Sequence, residues 1–149
     1  MSAVREPFRP QRGRLVAIGF AVVAVLVFGV VAMAMPGDKQ GGNWKLGDRL
    51  MLLGLGVAIA ALLIRYARIV ATPTETGLRV RNLFLTRTIP WSEIEAIRFG
   101  GGEPWVTLDL TDGDSIAVMA IQRADGPRGV DEAQRLADLA GPAGAPTTR

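Results

Sequence analysis

Apolar residues gather in two long blocks in the first half of the chain, and beyond them the pattern shifts to a short period. Leu15 to Met35 is a run of 21 residues without a charge, ended by Pro36-Gly37. At about 1.5 Å of rise per residue, such a helix crosses a hydrocarbon core of roughly 30 Å. A second block, Leu50 to Ile64, lies between Arg49 and Arg65 and is extended by Leu46, Gly47 and Tyr66. The expected spans are therefore about 15–35 and 47–68. Arg49, Arg65 and Arg68 can direct their charged ends back to the head groups, and Trp44 and Tyr66 stand where interfacial aromatics belong. The spacings Gly54/Ala58 and Ala17/Ala21 would let two helices approach closely. A secretory signal is the competing reading, because Ala32-Met33-Ala34 has the form of a cleavage site. The first apolar run is longer than the usual core of about 7–15 residues, and a second follows at once, so a retained span is expected.

From Ile69 onward the period is about two. Leu78 and Val80 alternate with Arg79 and Arg81, and Val106, Leu108 and Leu110 alternate with Trp105, Thr107 and Asp109. Alternation of this kind marks strands with one buried and one wetted face. Six strands are expected, at about 69–74, 78–83, 86–90, 96–100, 104–110 and 115–120. Asp112-Gly113 predicts a hairpin and Thr76-Gly77 another turn, since glycine reaches positive φ easily. Ser92 followed by Glu95 fits a capping box that opens a short helical turn. Val130 to Leu139 predicts an amphipathic helix with Val130, Ala133, Leu136, Ala137 and Ala140 on one face. Gly141-Pro142 ends it, and a disordered tail is expected over 141–149.

The chain thus divides into a basic arm (1–14), a transmembrane hairpin (15–70), a β domain with a terminal helix (71–140) and the tail. The fold class is α+β: a two-helix transmembrane hairpin followed by a small antiparallel β domain with a C-terminal amphipathic helix. Charge then orients it. Arg5, Arg9, Arg12 and Arg14 precede the first span, and Arg65, Arg68, Arg79, Arg81 and Arg87 follow the second. The connection between the spans carries Lys39, Lys45 and Arg49, offset by Asp38 and Asp48. The excess of arginine on both outer flanks places both termini in the cytoplasm of a multi-pass cell-membrane protein. The chain has neither cysteine nor histidine. That removes disulfides, thiolate chemistry, Cys/His zinc sites and the commonest neutral-pH acid/base.

Three stretches carry a family resemblance: Thr76-Gly77-Leu78-Arg79-Val80-Arg81-Asn82, then Ile89-Pro90-Trp91-Ser92-Glu93-Ile94 with Ile97-Arg98-Phe99, and Leu108-Asp109-Leu110-Thr111-Asp112-Gly113. Together they resemble the pleckstrin-homology-like (PH-like) domains of small actinobacterial membrane proteins of the low-molecular-weight protein antigen 6 type. The chain departs from that pattern at Leu85, where relatives often turn with glycine, and is shorter than a full seven-strand PH barrel with its closing helix. The resemblance implies a PH-like fold and a membrane-linked binding role.

Candidate binding residues follow from both readings. Arg79, Arg81 and Arg87 are expected on one exposed face of adjacent strands, where they would meet an anionic leaflet; an ordinary solvated strand face is the plainer alternative. Phe84 at a hairpin tip and Trp105 at a strand start are candidate contacts with a partner or with lipid. Trp91 is expected to be a buried packing anchor. Glu93, Glu95, Asp109, Asp112 and Asp114 have turn, capping or solvent roles and form no recognisable acid/base pair or calcium loop. No catalytic residue, cofactor, metal or nucleic-acid partner is expected. The expected partners are the lipid bilayer and a protein, the domain acting as a docking module of envelope-associated machinery; an anionic-lipid sensor is the alternative, and a membrane-bound enzyme the least favoured one.

Overall fold

The computed structural model describes residues 6–141. The expected tail beyond Gly141, and Arg5 in the arm, lie outside the described residues. The described residues form two compact units: one is built from the segment up to Gly13 together with that from Arg68 onward, the other from Arg14–Ala67.

The second unit is a helical hairpin. Its helices are α1 (Arg12–Ala34, whose first two residues belong to the other unit) and α2 (Leu46–Ala67). At 23 and 22 residues they measure about 34 and 33 Å, and both are long and apolar enough to cross a membrane. Their apolar side chains point outward: Leu15 is 72% exposed, Met33 82% and Met51 72%. The helices approach at Gly56, where a Cβ would stand 2.6 Å from the Cβ of Phe28. Gly54, marked by its spacing to Ala58, has open space around it instead. The last carbonyls of a helix lack partners within it. Here Arg49 of α2 supplies them, donating to the carbonyls of Ala32 (2.9 Å), Met33 (3.2 Å) and Met35 (2.6 Å). Asp48, in the first turn of α2, reaches back to accept from the Lys45 N–H at 2.9 Å, one half of a capping box.

The other unit holds six strands: β1 (Val70–Pro73), β2 (Gly77–Arg81), β3 (Thr86–Pro90), β4 (Ile94–Arg98), β5 (Trp105–Leu110) and β6 (Ser115–Gln122), followed by α3 (Pro127–Ala140). They form two antiparallel three-stranded sheets, β1-β2-β3 and β4-β5-β6. The alternating apolar residues meet between them: Leu78, Val80 and Ile89 from the first sheet, Val106, Leu108, Leu110, Ile116 and Val118 from the second, with Leu136 of α3, all 5% exposed or less. Asn82 joins the sheets, its amide donating to the Ala117 carbonyl (2.6 Å) and accepting from the Met119 N–H (3.2 Å). Gly77 admits no side chain, because a Cβ there would lie 2.1 Å from the Ile89 carbonyl oxygen. Gly113, at φ +87°, makes the β5–β6 turn that Asp112-Gly113 predicts.

Four expectations are corrected. The fourth strand is Ile94–Arg98 rather than 96–100. A bulge between Ile94 and Ala96 lets Ile94 and Ile97, three apart, both face inward, which breaks the two-residue period. Glu95 consequently lies on β4, and the preceding 3₁₀ turn (Trp91–Glu93) has no side-chain cap, so Ser92 and Glu95 form no capping box. Trp91 is half-buried rather than sealed in the core; its indole N–H donates to the Thr74 carbonyl at 3.2 Å, and Ile89 and Ile94 fill the interior on either side of it in sequence. The terminal helix starts earlier, at Pro127, and buries Gly129, Ala133, Leu136 and Ala137, leaving Val130 58% exposed.

The largest addition is the N-terminal segment. It is no free arm: Phe8 is 0% exposed and pairs with Ala71 across an antiparallel bridge, N–H to carbonyl at 2.7 and 3.1 Å. The Arg135 guanidinium lies 4.0 Å above its ring. Two residues on, Pro10 is also buried. The Gln11 and Arg12 N–H groups then donate to the Asp125 carboxylate at 3.2 and 3.0 Å, giving the start of α1 an acidic cap from a distant part of the sequence.

Candidate functional site

Strand register decides which candidate side chains share a face. Arg79 stands opposite Thr88 and Arg81 opposite Thr86, and both arginines are exposed on the outer side of the first sheet. Arg87 stands opposite Val80, on the inner side with Leu78 and Ile89. The expected face of three arginines is therefore split, two out and one in. Arg87 emerges at the end of the inner face and meets carboxylates of the β5–β6 turn, Asp114 at 3.5 Å and Asp112 at 3.8 Å. Arg81 donates to the Arg68 carbonyl through Nη2 (2.8 Å) and Nε (3.3 Å). Arg79 has no partner among the described residues.

The other candidates lie apart from these. Phe84, in the turn between β2 and β3, is 77% exposed, and its neighbour Leu85 54%. Trp105 opens β5 in the second sheet, half-buried and paired with Gln122.

The strongest polar arrangement was not singled out by the sequence pattern. On the outer side of the second sheet, Arg98 grips Asp109 with two bonds, Nε to Oδ2 at 2.7 Å and Nη2 to Oδ1 at 3.0 Å. It donates to Glu103 at 2.9 Å, and the Ser115 hydroxyl donates to Asp109 at 2.8 Å. The hydrogen bond from Arg98 holds the Asp109 carboxyl below the usual range, against partial burial and with help from Ser115. The same bond raises the Arg98 guanidinium further above its ordinary value. Arg98 and Asp109 sit on adjacent strands one register step apart, Ala96 facing Asp109 and Arg98 facing Thr107. A signal existed in the sequence, opposite charges at outward positions of neighbouring strands, but it needs the bulge-shifted register to be read. Such a cluster rigidifies a face and leaves no free cation on it: one guanidinium meets two carboxylates, and the second Glu103 oxygen is buried without a hydrogen-bond partner. Among the described residues, no group of three or more His, Cys, Asp or Glu is placed to hold a metal.

Two packed antiparallel sheets followed by a helix are the layout that the three sequence stretches imply, and the comparisons agree. The profile of the family described as bacterial PH domain matches residues 67–139. The chain belongs to the bacterial PH domain family. Uncharacterized proteins of Mycobacterium tuberculosis and Mycobacterium bovis are 33% identical to it over 115 residues, covering 74% of this chain and 75% of theirs. No solved structure matches the chain. The bacterial PH domain match begins at Ala67, the last residue of α2, so Phe8 and Pro10, which pack into this fold, lie outside the matched segment.

Proposed function

We propose that this bacterial PH domain protein is a membrane-anchored, non-enzymatic module that holds its β domain on the cytoplasmic face and docks a protein partner there. The observation that carries the reading is the dispersal of the arginines. A cradle for an anionic head group needs several unspent cations converging on one point. Here Arg87 faces inward and is held by Asp112 and Asp114, Arg81 is bound to a backbone carbonyl, and Arg98 is consumed by Asp109 and Glu103. Of the three expected arginines, that leaves Arg79 with its side chain unengaged, too little for a converging head-group cradle, whereas half-buried Trp105 on the opposite sheet has the amphipathic character of an interface anchor.

Topology is supported from an independent direction. Phe8 precedes the first apolar helix and Ala71 follows the second, yet they pair. The pairing supports both outer ends of the hairpin lying on one side of the bilayer, which two crossings satisfy, and the arginine excess on those flanks favours the cytoplasmic side. Cleavage after Ala34 would remove Phe8 from the core, which supports a retained first span.

Two experiments test this. The chain has no cysteine, so single substitutions report cleanly. Gly41→Cys should react with an impermeant maleimide outside intact cells, and Thr111→Cys only after the cells are opened; reversed labelling overturns the orientation. A photo-crosslinking amino acid in place of Trp105 should yield a discrete protein adduct in native membranes. Adducts with lipid alone, together with head-group binding lost in Arg79→Ala, would replace docking by lipid sensing.

A further inference from the structure

Among the described residues of the β domain, the exposed large apolar side chains are Phe84, Leu85 and Val130, and two of these are adjacent. They sit at the tip of the β2–β3 turn. The position of that tip follows from register. β1 starts at Val70, just after α2 ends at Ala67, and runs away from that point. β2 is antiparallel to it and returns, so that Arg81 stands opposite Val70 and bonds the Arg68 carbonyl. The turn 82–85 therefore lies at the end of the sheet where the chain leaves α2. The opposite end is the β1–β2 turn, with Glu75.

The tip is also held in shape. The Asn82 N–H donates to the Leu85 carbonyl at 2.8 Å, and the Asn82 side chain is bonded at both its ends to β6. Phe84 and Leu85 are thus presented outward by a closed, anchored turn. Charge around them is one-sided: from Arg68 to Trp91 the only acidic residue is Glu75, at the far end, while Arg68 and Arg81 are exposed beside the tip. Arg87 pairs with both Asp112 and Asp114 of the β5–β6 turn, offsetting one of their two negative charges.

An apolar pair on a rigid turn with a cationic rim, at the end of a domain that emerges from a membrane helix, fits one occupant. We infer that Phe84 and Leu85 dip into the boundary between head groups and acyl chains, so that the domain is held to the bilayer at a second point beside its tether. This is a hydrophobic foothold that sets the domain's tilt and needs no specific head group. It rests on the reading above that α1 and α2 span the membrane.

The test uses the full chain reconstituted in vesicles of phosphatidylcholine with a minor fraction of phosphatidylglycerol. Single cysteines replacing Phe84, Glu75 and Val25 carry an environment-sensitive fluorophore, and lipids spin-labelled near the head group or deep in the acyl chain act as quenchers. Val25, in the middle of α1, reports whether the helices are in the bilayer at all; if its label escapes the deep quencher, the spanning reading fails and not the foothold alone. With Val25 quenched, the label at position 84 should be quenched by the head-group probe several-fold more than the label at 75, and shielded from aqueous iodide. Equal, weak lipid quenching at 84 and 75 overturns the inference. Shielding from iodide without lipid quenching also overturns it, in favour of a protein or a second copy covering the tip. Leu85→Cys repeats the measurement with Phe84 intact, so loss of the phenylalanine cannot account for a negative result.

Discussion

Replacing Phe8 by alanine tests the least expected feature of the fold. The ring is 0% exposed, and truncating a buried phenylalanine costs about 3–5 kcal/mol. The Arg135 guanidinium 4.0 Å above the ring adds about 0.5–1 kcal/mol of cation–π attraction, while the bridge to Ala71 is made by backbone atoms and survives the substitution. A loss of about 3 kcal/mol is a large part of the roughly 5–15 kcal/mol that holds a domain together. For a domain of this size each kcal/mol moves the melting midpoint by about 4–8 °C, so Phe8→Ala should lower Tm by roughly 12–24 °C. The assay is thermal unfolding of the full chain in mild detergent, followed by the fluorescence of Trp91 and Trp105. Phe8→Leu, which refills most of the space, should recover part of the loss. Arg135→Gln made with and without Phe8→Ala isolates the ring–guanidinium coupling, expected at about 0.5–1 kcal/mol. An unchanged Tm in Phe8→Ala would refute the reasoning, because a residue sealed in the core cannot be removed without cost.

Three further outcomes follow from particular contacts. Gly77→Ala forces a Cβ to within 2.1 Å of the Ile89 carbonyl oxygen, so β2 and β3 must part; a loss of about 1–3 kcal/mol in denaturant unfolding is expected, and a neutral result would place the strands further apart than described. Asp109 has a lowered folded pKa, so its contribution to stability is complete above the unfolded carboxyl value near ~4 and fades as pH falls through the folded one. Tm measured against pH should fall less steeply on the acid side in Asp109→Asn; identical slopes would show that the pair with Arg98 contributes nothing, as many solvated pairs do. Arg49→Lys should weaken the helical hairpin almost as much as Arg49→Met, because one ammonium cannot reproduce a planar fork that reaches three carbonyls; hairpin unfolding in graded denaturing detergent reads this, and full rescue by lysine would reduce Arg49 to a simple charge.

The parts of the fold that were legible in the sequence are those written in an uninterrupted period. Leu15 to Met35 needed no partner to announce a helix, and Val106-Leu108-Leu110 alternates without a break. Legibility ended where tertiary structure shifts the period by one. The bulge after Ile94 moved β4 two residues earlier and gave Glu95 to a strand. On β3, Arg87 looked like a companion of Arg79 and Arg81, but the four-residue turn 82–85 sets Arg81 opposite Thr86 and so turns Arg87 inward. A single-residue change of parity thereby dissolved the expected basic face. Glycine carries no apolar signal, so the pattern favours Val130 over Gly129, yet the missing side chain of Gly129 lets α3 approach Gln122, whose carbonyl oxygen a Cβ would meet at 2.3 Å. Phe8 had only a faint trace, an apolar–basic–apolar triplet with Arg9 and Pro10, and its partner Ala71 lies beyond both membrane-length helices.

That long-range pairing changes how anchor and domain relate. A domain appended after an anchor could fold whatever the anchor did; this one takes Phe8 and Pro10 from ahead of the helical hairpin and the rest from behind it, so the hairpin is an insertion in the domain. Ordinarily, joining residues so far apart carries a loop-closure cost that grows with the intervening length. Two antiparallel helices of 23 and 22 residues reduce it, because they return the chain to its starting level whatever their own sequence. Near-equal length of the two helices therefore favours the pairing of Phe8 with Ala71. The Asp125 cap reinforces the link, since its carboxylate meets the first N–H groups of α1 from the segment between β6 and α3. A shift of α3, whose Arg135 covers Phe8, would thus disturb the residues that start the first helix. The route runs through packed and hydrogen-bonded groups of one unit.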